Sequence, residues 1–198
     1  MPPDQILPLI AFAAVAMVTP GATTTLATAS GAHFGFRRSL PFMIGVTIGV
    51  IAMAVAAAAG LAGLLLAAPS LELAMKLVGS AYLLWLAVKI GRSGPPHLAS
   101  SIAKPTSFLG ALWIQLQNPK GWAVTLAAAA SFGGLARGAG ELAALLGTVF
   151  GLLALLSLML WCVAGLLLAR LLKQAWQWRA LNIALALALA ASILTMWR

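Results

Sequence analysis

Acidic residues are almost missing from this chain. Its 198 residues include three, Asp4, Glu72 and Glu141, against twelve Lys and Arg, for a net charge of +9. Charged residues make up 8% of the chain and hydrophobic ones 63%, whereas a soluble domain carries about 25% charged residues. So little charge cannot cover a water-facing surface, and lipid is the expected solvent for most of it. The single cysteine, Cys162, excludes an internal disulfide and a CxxC redox pair, and with them a membrane carrier of electrons through paired thiols. Its apolar neighbours mark it as a small buried residue. The two histidines, His33 and His97, fall in separate expected loops, and no His/Cys/carboxylate cluster exists to hold zinc or iron. Neither a metal nor a cofactor is expected. A hydrolase would need a nucleophile with a base, or a metal with ligands; no span offers either, so an enzyme is not expected.

What is present is long apolar sequence. Six stretches approach or exceed the roughly 20 apolar residues that cross a bilayer: 6–29, 40–67, 71–90, 107–130, 142–169 and 178–197. The first follows MPPDQ without the positive n-region of a signal peptide, so it is read as a retained span. Turn residues separate the spans at Gly31–Ser39, Ala68–Ser70, Gly91–Thr106, Gly133–Gly140 and Arg170–Trp178. The third span carries Glu72 and Lys76, an i,i+4 pair suited to mutual support. The longest connection, with Gly94-Pro95-Pro96, divides the chain into 1–92, a linker at 93–106, and 107–198, with three spans in each half.

The cations stand singly or in twos between apolar blocks, without the basic stripe and stacking aromatics that nucleic acid requires. No nucleic-acid partner is expected. Eight of the twelve lie in alternate loops: Arg37 and Arg38; Lys89, Arg92 and Lys104; Arg170, Lys173 and Arg179. The other face holds Arg137 and Arg198. The positive-inside rule puts the basic loops in the cytoplasm and both termini outside.

Three spans is an odd number, so if the halves are related the second is inverted. The first span is interrupted by Thr19-Pro20-Gly21 and the fourth by Asn118-Pro119-Lys120-Gly121. The second and fifth carry small-residue faces, Gly45/Gly49 and Gly147/Gly151, of the kind that let helices pack closely. The fold class predicted is therefore all-α: a polytopic membrane protein of about six helices in two inverted three-helix repeats, the first and fourth helices broken. The glycine faces also leave room for a homo-oligomer.

The breaks mark the candidate site. Proline removes a backbone donor, and freed carbonyls and amides in lipid cost several kcal/mol each unless something satisfies them. A half-helix N-terminus attracts carboxylates. Around the first break stand Thr19, Pro20, Gly21, Thr23, Thr24 and Thr25; around the second, Gln115, Gln117, Asn118, Pro119 and Lys120. Lys120 is the one full charge near a span midpoint, which makes it a functional candidate, with snorkelling to the interface as the plain alternative. For the threonines the plain alternative is bonding back to their own helix.

Four motifs in order give the chain a resemblance over nearly its whole length. They are Thr19-Pro20-Gly21-Ala22; Gly35-Phe36-Arg37-Arg38 followed by Gly45-x-x-x-Gly49; Lys76 through Gly79 and Tyr82 to Trp85; and Phe108-Leu109-Gly110 followed by Gln117-Asn118-Pro119-Lys120. With these it resembles the LysE/RhtB family of bacterial amino-acid exporters. The resemblance implies a secondary transporter in the bacterial inner membrane, exporting amino acids or similar small zwitterions and driven by the proton gradient. Ala22 stands where the family has a second proline, and Val50 where many relatives carry an acid. No proton-carrying carboxylate is therefore visible in the spans. The competing reading is a membrane assembly subunit that binds partners through its glycine faces and carries nothing.

The orientation is directly testable. In a Cys162→Ala background, a cysteine at Gly134 is expected to react with an impermeant thiol reagent from outside intact cells. One at Gln174 is expected to react only after permeabilisation. The reverse pattern would overturn the assignment of sides.

Overall fold

The computed structural model describes residues 3–60, 69–92 and 105–194. Of the expected Ala68–Ser70 turn, Ala68 lies outside these residues and Pro69 and Ser70 are instead helical; all of the 93–106 linker before Pro105 lies outside them too, as do His97 and the side chains of Asp4, Glu72, Lys76 and Tyr82. The described chain is helical: α1 (Pro3–Val18), α2 (Ala22–Ala58), α3 (Pro69–Gly91), α4 (Phe108–Leu116), α5 (Pro119–Phe132), a short 3-10 turn (Gly133–Leu135), α6 (Ala139–Leu171) and α7 (Ala175–Leu194). No strand occurs among the described residues.

Both proline positions are helix boundaries. Helix α1 stops at Val18 and α2 begins at Ala22, while α4 stops at Leu116 and α5 begins at Pro119. The expected Gly31–Ser39 loop is different. It is helical throughout except at Gly35, with φ 75 and ψ 173, a backbone region open essentially to glycine alone. Ser30 and Ser39 lie 2.7 Å apart through their hydroxyls. An uninterrupted helix would hold residues nine apart about 13.5 Å from each other, so α2 is a hairpin of two arms, 22–34 and 36–58, turning at Gly35. The loop shrank because one positive-φ residue reverses the chain and the two serines tie the arms. His33, expected in a loop, is helical, and its Nε2 lies 2.7 Å from Oδ1 of the fully buried Asn182. Likewise α6 runs on to Leu171, and only residues 172–174 separate it from α7.

Helix α6 is the spine. Its 33 residues extend about 50 Å, more than the roughly 30 Å hydrocarbon core of a bilayer. Both arms of α2 and α1 pack along it, α4 packs on α2, and α3 pairs with α7 at the side. Leu152, Leu156, Leu160 and Leu167 on α6 remain exposed at helical spacing, a lipid-facing stripe, since lipid does not drive such side chains inward. The glycines set the closest approaches. A Cβ added at Gly45 would stand 2.4 Å from the Phe108 carbonyl, and one at Gly49 would stand 2.8 Å from the Gln115 side chain. At Gly151 it would meet Ile51 at 2.7 Å, while at Gly147 it would make only ordinary contact, 3.5 Å from Ile51. The tightest crossing was not singled out from the sequence. A Cβ at Gly31 would fall 2.0 Å from the Cys162 carbonyl, and one at Gly165 would fall 2.0 Å from the Thr28 carbonyl.

That crossing yields a prediction. Gly31→Ala and Gly165→Ala each force two backbones apart, at a cost of about 1–3 kcal/mol. Gly134→Ala, which meets nothing within 4 Å, is the control. Melting in detergent should fall for the first two and hold for the third; equal melting of all three would refute the close approach.

Candidate functional site

The first break leaves the end of α1 with carbonyls that no helical amide reaches. Pro20 brings no N–H, and the chain turns away before residues 21–23 can donate to residues 17–19. Three consecutive carbonyls are instead met by side chains from the other half of the protein. Ser157 Oγ donates to Met17 at 2.7 Å, Trp161 Nε1 to Val18 at 3.2 Å, and Lys120 Nζ to Thr19 at 3.0 Å. The Lys120 ammonium thus spans from the second break to the first, and it does not snorkel along its own helix.

The two breaks are finished differently. At the second, Asn118 is the N-cap of α5, its Oδ1 accepting from the Lys120 amide at 3.1 Å, with Pro119 in the first turn. Trp122 Nε1 donates to the Leu116 carbonyl at 2.8 Å. Gln115, only 3% exposed, accepts from Asn118 Nδ2 at 3.5 Å through Oε1, while its Nε2 lies 3.4 Å from Met53 Sδ. Gly49 and Gly121 hold this side chain from two sides, since a Cβ on Gly121 would stand 2.6 Å from Gln115 Nε2. Gly49 therefore makes room for a site residue as well as for a helix. At the first break the N-cap is Gly21, which has no side chain to cap with; Thr24 Oγ1 accepts from the Gly21 amide at 2.8 Å, and the amides of Ala22 and Thr23 have no side-chain acceptor. Helix N-termini in that state favour anions.

Between the breaks lies an open-mouthed cleft. Thr19, Gly21, Thr23, Thr24, Gln115, Asn118 and Lys120 line it, with Met17, Val46, Val50, Ala154 and Leu158 as an apolar wall. Of the remaining expected residues, Pro20 and Pro119 shape the breaks without lining the cleft, and Thr25 is buried and does not line it either. Gln117 is buried, its Oε1 without a partner, and is not among the lining residues. The threonine hydroxyls are partly spent on their own backbone: Thr19 on Val15, Thr24 on Gly21. No carboxylate lines the cleft among the described residues, nor do these contain a group of three or more metal-ligating side chains. Ser157 and Trp161 escaped the sequence reading, although Ser157 is the one hydroxyl between 149 and 169. A lone serine with a tryptophan one turn further on was the available signal.

Known proteins add the family. The curated cysteine/O-acetylserine efflux protein of Escherichia coli (strain K12) is 30% identical over 196 residues, 96% of this chain and 95% of that one. Its namesake from Shigella flexneri is 31% identical over 182 residues, 88% of each chain. That from Klebsiella pneumoniae is 32% identical over 120 residues, 61% of each. No solved structure matches the chain. The family described as LysE type translocator matches residues 14–193, which take in both breaks and the cleft between them. The chain belongs to that family, and it is accordingly an integral membrane translocator and not an enzyme.

Proposed function

We propose that this protein exports small neutral amino acids from the cytoplasm through the cleft between the two helix breaks. One observation carries the reading: Lys120 of the second break meets the Thr19 carbonyl of the first at 3.0 Å, in a cleft with one cation and no described carboxylate. The start of α2 and Lys120 suit a substrate carboxylate. Backbone carbonyls and the Gln115 and Asn118 oxygens suit its ammonium, and Met17, Val46, Val50, Ala154 and Leu158 suit a short apolar or weakly polar side chain. The relatives' names, which specify cysteine and O-acetylserine efflux, agree with a substrate of that size.

The architecture in this reading is a pair of inverted repeats. Helix α1 with the first arm of α2 corresponds to α4 with α5, the second arm of α2 to α6, and α3 to α7. The side-by-side pairing of α3 with α7 supports this, as does the meeting of the two breaks. The halves 1–92 and 107–198 would rock about the cleft to alternate access. Basic loops place both termini outside the bacterial inner membrane. The proton gradient as driving force rests on the family resemblance alone.

The test is uptake of radiolabelled cysteine, serine and O-acetylserine into inverted vesicles with an imposed pH gradient. Gradient-dependent accumulation of at least one is expected. Gly21→Leu, which fills the cleft, and Asn118→Leu, which uncaps α5 at a cost of about 1 kcal/mol and removes a lining oxygen, should each lower initial uptake at least about tenfold at equal expression. Undiminished uptake by both variants would rule out this cleft, and wild-type vesicles that move no amino acid would rule out the substrate class.

A further inference from the structure

Among the three carbonyls at the end of α1, Thr19 is the one held by a charged donor. Ser157 and Trp161 are neutral donors from the spine helix, Ser157 only 2% exposed. Lys120 is half-buried at the end of a flexible side chain, its Nζ 3.7 Å from where a Cβ on Gly21 would stand. An ammonium therefore already lines the cleft, on an acceptor, beside the start of α2, where Thr24 Oγ1 takes the Gly21 amide and the Ala22 and Thr23 amides have no side-chain acceptor. No described carboxylate lines the cleft to balance it.

We propose that the Lys120 ammonium is a tethered stand-in for the ammonium of the substrate. The inference rests on the export reading and assigns the two charged ends of the substrate to atoms. In the empty carrier Lys120 occupies the Thr19 carbonyl. An incoming amino acid sets its carboxylate between Lys120 Nζ and the amides of Ala22 and Thr23. Lys120 swings to that carboxylate, and the substrate ammonium, one carbon away from its own carboxylate, takes the vacated Thr19 carbonyl. The Thr19 carbonyl has a charged donor before and after, and the cleft carries the same net charge in both states because the substrate is a zwitterion.

Selectivity follows from the exchange. An amine without a carboxylate cannot draw Lys120 away, and its entry would put two cations side by side in a cleft without a described carboxylate. A carboxylic acid without an amine would draw Lys120 off and leave the Thr19 carbonyl without its charged donor. The lysine thus rejects decarboxylated amines by occupying their acceptor, a negative element of specificity as well as an attractive one.

The consequence is a gain of binding, which loss of folding cannot imitate. Full-length protein in detergent is assayed by scintillation proximity with radiolabelled cysteine and with cysteamine, its decarboxylated counterpart, under reducing conditions. Wild type should bind cysteine and hold cysteamine at least about 100-fold more weakly; a hydrogen bond to a charged group commonly decides factors of about 10 to 100. Lys120→Met should bind cysteamine at least about tenfold better than wild type does, and cysteine worse. Lys120→Arg, which keeps the cation, should keep the rejection of cysteamine. Should Lys120→Met fail to melt like wild type, Lys120→Gln replaces it with the same expectation. Cysteamine binding that is no tighter in the folded neutral variant would overturn the stand-in while leaving cysteine binding, and the export reading, intact. Wild type that binds no cysteine would instead contradict the export reading and the stand-in with it.

Discussion

A backbone carbonyl in lipid must find a donor, and in this protein three of them stand in a row at the end of α1. Pro20 creates the need, because it ends the helix in the middle of an apolar stretch, before residues 21–23 can donate to residues 17–19. The donors come from far along the chain: Ser157 and Trp161 on α6 and Lys120 on α5. Unsatisfied, each carbonyl would cost several kcal/mol, so these three bonds fix how the first span sits against the second half. The cleft between the breaks, the placement of the start of α2 and the position of the single cleft cation all follow from that arrangement.

Close helix packing makes the arrangement attainable. The first arm of α2 crosses α6 backbone to backbone where Gly31 faces Cys162 and Gly165 faces Thr28, and the second arm lets Gln115 lie against Gly49. Side chains at these glycines would hold the helices too far apart for Ser157 and Trp161 to reach α1, and would displace Gln115 from Asn118. The small residues therefore act on function through distance. They bring polar groups on different helices within hydrogen-bond reach in a setting where water cannot bridge them.

Much of this was legible in the residues. The lipid-facing character came from the shortage of charge, and the breaks from proline beside glycine or asparagine deep in apolar sequence. The candidates clustered around the breaks, in the densest polar patches inside spans, and seven of the eleven line one cleft. Less legible were features that depend on three dimensions. The turn after the first span is a single residue, Gly35, since a loop of nine polar and apolar residues reads the same as a helical hairpin until its φ is known. Ser157 and Trp161 lie in an apolar run where one hydroxyl and one indole pass for ordinary composition. Gly31 and Gly165 owe their role to backbone on another helix, which no spacing within their own helix announces. The threonines divided as local chemistry dictates, with Thr19 and Thr24 bonding their own backbone and Thr23 facing the cleft.

The central claim is that the substrate sits between the two breaks, against the start of α2. The most direct measurement uses Thr23→Cys, with the native thiol Cys162 fully buried, and follows its rate of alkylation by a small thiol reagent in membranes. The amino acid that the vesicles transport should slow labelling at concentrations near its transport KM, and a non-transported amino acid should not. Labelling that is unchanged at a concentration saturating transport would contradict the account and place the substrate elsewhere in the protein.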